Sequence, residues 1–287
     1  MLDVSVVMPA AGVDQYLGSQ LESLEAQDFE GSWELVIALN SDLKKDLENL
    51  NALVAKFELN STIIVASELK SAAYARNQGV ASATAEIIAF CDSDDICEPD
   101  WLRVLTQGLT PDSKFVVGGH LAETQLGVSG QEHWRPPATP DALPTYLDVP
   151  YLVSANMAMS VKAFNDAGTL DETLTRCEDI ALSWKLIDAG YELRYVGDAV
   201  VQYRHRKGLK KLLHQHYLYG LGFHELLSTY SIPGQSAQKS GSLANKLRSN
   251  NARVEHRSII HYSRRGAIAT GRLVGLLKGL RNKPGKG

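Results

Sequence analysis

Cysteine is scarce in this chain: Cys91, Cys97 and Cys177 are all it has in 287 residues. An odd count without C-x-x-C spacing excludes a disulfide framework and a zinc knuckle. It matches a reduced, cytosolic setting. Long apolar runs are missing too. No stretch of about 18 apolar residues exists, so no spanning helix is expected. The N-terminal MLDVSVVMPAAG has no basic leader before a long apolar run and reads as a strand, not a signal peptide. No G-x-G-x-x-G follows the first apolar run, which counts against a dinucleotide-binding oxidoreductase. Pro9–Asp14 carries no Lys or Arg, which counts against the basic glycine-rich loop of a nucleotidyltransferase. The basic residues come without an aromatic stacking platform, so nucleic acid is not an expected partner.

Charge, by contrast, is strongly segregated. The formal net charge is only −4, yet residues 201–287 hold 17 Lys and Arg against 2 acids, which leaves the first 200 residues acidic. The pattern reads as an acidic globular body and a basic tail that faces something anionic. At 44% hydrophobic residues, the body can bury a sizeable core as one large domain.

Short apolar runs alternate with helical periodicity. Val4–Met8, Glu34–Leu39, Ser61–Ala66 and the run ending at Cys91 read as strands. Gln15–Gln27, Lys44–Phe57 and Ser71–Ala83 read as helices. The alternation predicts an α/β fold with a mostly parallel sheet covered on both faces. Ligands of such sheets lie beyond the carboxyl ends of the strands, here Pro9-Ala10, Asn40-Ser41-Asp42 and Asp92-Ser93-Asp94. Further on, Phe115–Gly119 reads as a strand with a glycine bend, Asn156–Ser160 as a strand and Tyr191–Arg204 as strand structure. Glu178–Gly190 reads as a helix that Gly190 terminates. The proline-rich stretch 120–150 is expected to loop over the crevice, and the polar residues 231–256 to form a mobile connector.

The apolar run Glu86–Cys91 ends abruptly in Asp92-Ser93-Asp94-Asp95. Three carboxylates at the mouth of a buried strand repel one another, so a cation belongs with them. Mg2+ or Mn2+ prefers oxygen ligands and bridges carboxylates to phosphate oxygens. A bare D-x-D also fits a solvated acidic turn.

The stretch YARNQGVASATAEIIAFCDSDD, Tyr74–Asp95, resembles the nucleotide-sugar core of bacterial-type family 2 glycosyltransferases, the inverting enzymes of the GT-A fold. The resemblance covers roughly residues 3–206. Pro9, Ala75-Arg76-Asn77 and Asp92–Asp94 look like the donor half. Ser154–Asn156, Gly168–Glu172, Glu178-Asp179 and Tyr203–Arg206 look like the acceptor half. The implied architecture is a GT-A catalytic domain over 1–206, with a donor half of about 1–119 and an acceptor half of about 120–206. A basic helical extension, 207–287, follows it.

The resemblance further implies a nucleotide-diphosphate sugar donor, UDP-sugar favoured, with Mn2+ or Mg2+. The acceptor would be a hydroxyl on a cell-envelope or lipid-linked glycan. Asp92 would contact the ribose or metal, Asp94 the metal, and His205 the metal or diphosphate. Pro9, Ala10 (through its backbone), Asn40, Arg76 and Ser93 would surround the nucleotide sugar. Asn156 and Glu178 would shape the acceptor pocket. Asp179 matches the catalytic carboxylate, which takes the acceptor proton on the face opposite the departing diphosphate. Plain readings stand beside these: Glu178 and Asp179 as acids favoured at a helix N-terminus, and His205 as a half-buried ring. Leu39, Ala11-Gly12 and Ala181 depart from the family pattern, which bears on nucleotide choice and acceptor contacts. The non-enzyme alternative is a catalytically silent relative serving in assembly.

Near the C-terminus, Leu273, Leu276, Leu277 and Leu280 form a helical stripe, with Arg272, Lys278 and Arg281 largely away from it. That suits an amphipathic helix lying on an anionic membrane. Gly271, Gly275 and Gly279 suit close docking on the body instead. The expected location is cytoplasmic, with peripheral contact on the inner face of the membrane. Nothing in the sequence sets the oligomeric state.

Overall fold

A computed structural model describes residues 2–123, 126, 142–205, 208–234 and 259–281. Four strands open the chain: β1 (Val4–Ala10), β2 (Trp33–Leu39), β3 (Ser61–Val65) and β4 (Ile87–Cys91). Between them run α1 (Leu17–Glu25), α2 (Lys44–Val54) and α3 (Ala72–Ser82). β1 pairs in parallel with β2 and β4, and β2 with β3. The short β5 (Ile96–Cys97) and α4 (Trp101–Thr106) lead into β6 (Phe115–Ala122). A hairpin, β7 (Thr145–Tyr146) and β8 (Val149–Pro150), precedes β9 (Asn156–Ser160), α5 (Val161–Asp166), α6 (Glu178–Asp188) and β10 (Glu192–Gln202). The main sheet has eight strands in the order β3-β2-β1-β4-β9-β6-β10-β5. β9 runs antiparallel to both β4 and β6, while β6 and β10 are parallel. The sheet is therefore mixed, with a parallel donor-side block.

Side-chain alternation in the strands builds two cores. Val6 and Met8 of β1 face Leu17, Leu21 and Leu50 from α1 and α2, with Trp101 from α4. Val7, Ile88 and Phe90 point to the other side, against Phe164 of α5 and Leu182 and Leu186 of α6. Strands buried on both faces need near-continuous apolar sequence, and β4 is buried along its whole length. Close approach fixes α3 on the sheet: a Cβ at Gly79 would fall 2.4 Å from Val7 Cγ1.

The glycine pair at 118–119 does not bend β6. The irregularity falls on its neighbour β10, between Val196 and Val200. Gly119 is needed because a Cβ there would strike the Asn156 side chain and the Ala199 carbonyl. Residues 142–150 of the expected loop form the small hairpin. Most of residues 120–150 and of the connector 231–256, together with Arg206, lie outside the described residues.

Two long helices follow, α7 (Leu209–Thr229) and α8 (Ile259–Arg281). Glu225 of α7 accepts hydrogen bonds from the Thr175 N–H (2.7 Å) and hydroxyl (2.8 Å). Phe223 stacks on Tyr146 at 4.4 Å, and the Tyr230 hydroxyl donates to Asp171 at 2.6 Å. α7 is thereby tied to the β7–β8 hairpin and to the segment that leads into α6. α8 then packs along α7 through glycines. Gly220 lies against the Ile268 carbonyl, Gly271 against the Tyr217 carbonyl and Gly275 against His224. Contacts advance in the same sense on both helices, from His216 with Arg264 through Gly220 with Ile268 to His224 with Gly275, so the two helices run parallel. Helix docking, one of the two readings of the tail, is what the fold displays.

Candidate active site

The carboxyl ends of β1, β2 and β4, with the start of α3, enclose a cleft of about 550 Å³. Pro9, Ala10, Asn40, Arg76, Asp92, Ser93 and Asp94 all line it. The donor-side residues singled out in the sequence thus share one wall. The Asn40 amide donates to the carbonyls of Ala66 and Leu69, the latter at 2.6 Å. It pins the segment after β3 beside the cleft.

Asp92, Asp94 and Asp95 each present a carboxylate oxygen within 4.8 Å of the others. Asp95 was not among the expected ligands. It is 1% exposed, accepts the Arg204 N–H at 2.7 Å through Oδ1, and has no hydrogen-bond partner for Oδ2 among the described residues. Burial, and then the charge of Asp92, push its pKa up to about 8. A buried carboxylate oxygen without a donor, beside two further acids, is an arrangement a hard divalent cation satisfies. The three residues therefore fit Mg2+ or Mn2+. Arg204 braces this loop, since its Nε donates to the Asp94 carbonyl at 2.8 Å and its guanidinium lies 4.1 Å from the centre of the Tyr16 ring. His205 is not brought among the three acids. Its Nε2 lies 3.2 Å from Glu123.

Arg76 links the two halves. It is 4% exposed and projects from α3, whose first turn is capped by the Ser71 hydroxyl accepting the Tyr74 N–H. One Nη lies 2.5 Å from Asp92 and the other 3.7 Å from Glu178. Glu178 and Asp179 open α6, where Cys177, at φ 71°, turns the chain into the helix. Asp179 is half-buried. Burial first, then the Glu178 charge, raise its pKa to about 7, against the lowering effect of Arg76 and of the Ile180 N–H. That N–H donates to Asp179 Oδ1 at 2.8 Å. Ser183 holds the helix start, donating to the Asp179 carbonyl at 2.7 Å and accepting the Leu152 N–H at 2.9 Å. A carboxylate whose pKa lies near neutrality can take up a proton at working pH.

Asn156 sits elsewhere. It is 1% exposed, its oxygen accepts the Trp101 indole N–H at 2.9 Å, and both amide bonds run to the carbonyls of His120 and Ala199 at 2.9 Å. The expected acceptor contact is thus replaced by a core task. Asn156 ties β6, β9, β10 and α4 together.

Solved structures of glycosyltransferases share this fold. The mannosyltransferase PcManGT from Pyrobaculum calidifontis, in complex with GDP-Man and Mn2+, aligns with a TM-score of 0.62 at 16% identity, over 99% of this chain and 76% of that one. S. aureus TarS 1-349 in complex with UDP-GlcNAc aligns with a TM-score of 0.55 at 17% identity, over 97% of this chain and 92% of that one. The chain belongs to glycosyl transferase family 2, whose profile matches residues 5–168. Among curated relatives, the pre-mycofactocin glycosyltransferase of Mycobacterium tuberculosis (strain H37Rv) is 33% identical over 164 residues, 53% of this chain and 34% of the relative. The uncharacterized glycosyltransferase YfnE of Bacillus subtilis is 32% identical over 118 residues, 41% of this chain and 30% of the relative. The chain spans about a third of the length of these relatives.

Proposed function

We propose that this chain catalyses inverting, metal-dependent transfer of a sugar from a nucleotide diphosphate to a hydroxyl acceptor. One observation carries the reading: a single buried guanidinium, Arg76, spans from the acid cluster at the end of β4 to the carboxylate pair that opens α6. That arrangement supports a leaving-group site and a base on either side of one cation.

Pro9, Ala10, Asn40 and Ser93 line the part of the cleft given to the nucleotide. Asp92, Asp94 and Asp95 would hold Mn2+ or Mg2+, which supplies a Lewis acid for the charge that builds on the diphosphate. Asp179 accepts the proton of the acceptor hydroxyl, which attacks the anomeric carbon from the face opposite the diphosphate. Glu178 keeps Asp179 basic by its charge and shapes the acceptor side. Arg76 holds Asp92 and Glu178 in register. His205 is kept as a contact for the metal or diphosphate, drawn from its Glu123 partner when the donor binds. UDP-sugars are the first donors to test. The acceptor is a glycan or lipid-linked glycan, met by a cytoplasmic enzyme in peripheral contact with an anionic membrane.

The direct test is a thermal-shift screen of nucleotide diphosphates and their sugars with and without Mn2+, since ligands of the folded state raise Tm. A metal-dependent shift for a nucleotide diphosphate, lost in Asp94→Ala, is the expected outcome. A shift unchanged by chelation in wild type removes the metal from the reading.

A further inference from the structure

α8 has two faces that do different things. Gly271 and Gly275 are buried against α7. Leu273, Leu276 and Leu277 lie on the opposite side and are 56%, 48% and 51% exposed. Three large apolar side chains close together on one helix face form a patch that a soluble surface rarely keeps without use. The body cannot cover them, because the helix already spends its glycine side on α7.

Charge selects what does. From Ile259 to Arg281 the helix carries five Lys and Arg and no acid. Arg264 and Arg272 turn toward α7 and the hairpin, but the helix as a whole has no acid to offset its charge, so a two-fold contact through the leucine face would bring two net-positive helices together. An anionic lipid leaflet answers both features: acyl chains take the leucines, and the headgroups answer the net positive charge of the helix.

Position gives the patch a consequence. Arg272 approaches the Tyr146 hydroxyl at 3.5 Å and lies 5.3 Å from the centre of the Phe223 ring. Tyr146 in turn stacks on Trp184 of α6. α8 is thus linked through α7 and the β7–β8 hairpin to the helix whose first turn holds Glu178 and Asp179.

We infer that the outer face of α8, Leu273, Leu276 and Leu277, docks on the anionic leaflet of a bilayer and so turns the acceptor half toward a lipid-linked acceptor. The inference rests on the peripheral-membrane placement proposed above and names the surface responsible.

Flotation of the full chain with vesicles of equal parts phosphatidylglycerol and phosphatidylcholine tests it. Phosphatidylcholine vesicles serve as control, and metal-dependent hydrolysis of the donor is measured in parallel. Wild type binds the anionic vesicles, and less so at high salt. The triple variant Leu273→Ser, Leu276→Ser, Leu277→Ser loses roughly 100-fold in partitioning. The corresponding Leu→Met triple stays within about threefold of wild type. Both triples keep donor hydrolysis, because the altered side chains are exposed. Undiminished vesicle binding by the Ser triple overturns the assignment of this face but leaves membrane contact standing. Failure of wild type to bind overturns both, while donor hydrolysis judges the transferase reading separately. A wild-type dimer that the Ser triple dissolves would make a second copy the occupant and overturn the bilayer.

Discussion

The cleft wall proposed for the donor and the carboxylate pair proposed for the acceptor side are built by different means. The first is assembled from consecutive βα units: Pro9, Asn40 and Asp92 sit at the ends of neighbouring parallel strands, so topology alone converges them. The second has no such rule behind it. Asp179 is set by a left-handed Cys177, a Ser183 hydroxyl that reaches Leu152, and a helix, α7, attached through Glu225 and Phe223. A wall made by topology tolerates sequence change wherever strand ends stay in place. A wall made by individual contacts does not, and variation in acceptors is expected to concentrate there.

The comparison can be broken at several points. The largest effect is expected for Asp179→Asn, which should lower kcat by roughly 10³-fold while donor affinity, measured by calorimetry, stays within error. An equal loss of donor affinity would mean that the acceptor-side acid serves the donor wall as well. Arg76→Met comes next. It strands Asp92 and Glu178 and should destabilise the fold by about 3 kcal/mol in urea titration. Because it touches both walls, KM for the donor and kcat should both worsen. A change in only one would show that Arg76 belongs to that wall alone. Asp94→Ala should weaken Mn2+-dependent donor binding by at least roughly 100-fold and leave the metal-free affinity as it was.

Gly271→Ala places a methyl 2.1 Å from the Tyr217 carbonyl oxygen. It should cost about 2 kcal/mol of stability through overpacking between α7 and α8, with no change in donor affinity. The smallest effect is graded. In the proposed role Asp179 serves as base only when deprotonated, and its pKa is raised to about 7. Thus kcat should fall about tenfold per pH step below neutrality and level off above it, and Asp179→Asn should erase that limb.

Legibility in the sequence followed the same division. β1 to β4 and the helices between them were readable because apolar period and turn residues agree, with boundaries off by a few residues where helix ends fray, as at Val54 rather than Phe57. The residues that line the cleft followed from the strand ends. Asp95 was missed as a candidate ligand because it is merely the letter after D-S-D. The hydrogen bond that holds its carboxylate comes from the Arg204 N–H, 109 residues away. Asn156 misled for the same reason: its amide looks like a ligand contact until its partners, drawn from α4, β6 and β10, are known. At Gly118-Gly119 the sequence signalled an irregularity, but its place was one strand over, since Gly119 makes room for a neighbour's atoms and leaves its own strand unbent. Local patterns carry local geometry. A residue whose meaning lies in long-range partners is silent until the chain folds.

Arg76 also constrains how such a chain can be re-engineered. A chimera that grafts a foreign donor half onto these acceptor elements would bring an unrelated side chain opposite Glu178. Unless that side chain is cationic and equally long, the hybrid starts with a stranded half-buried acid at its seam. Exchanging specificities between relatives therefore begins with positions 76, 92 and 178 travelling as a set, before any loop is transplanted.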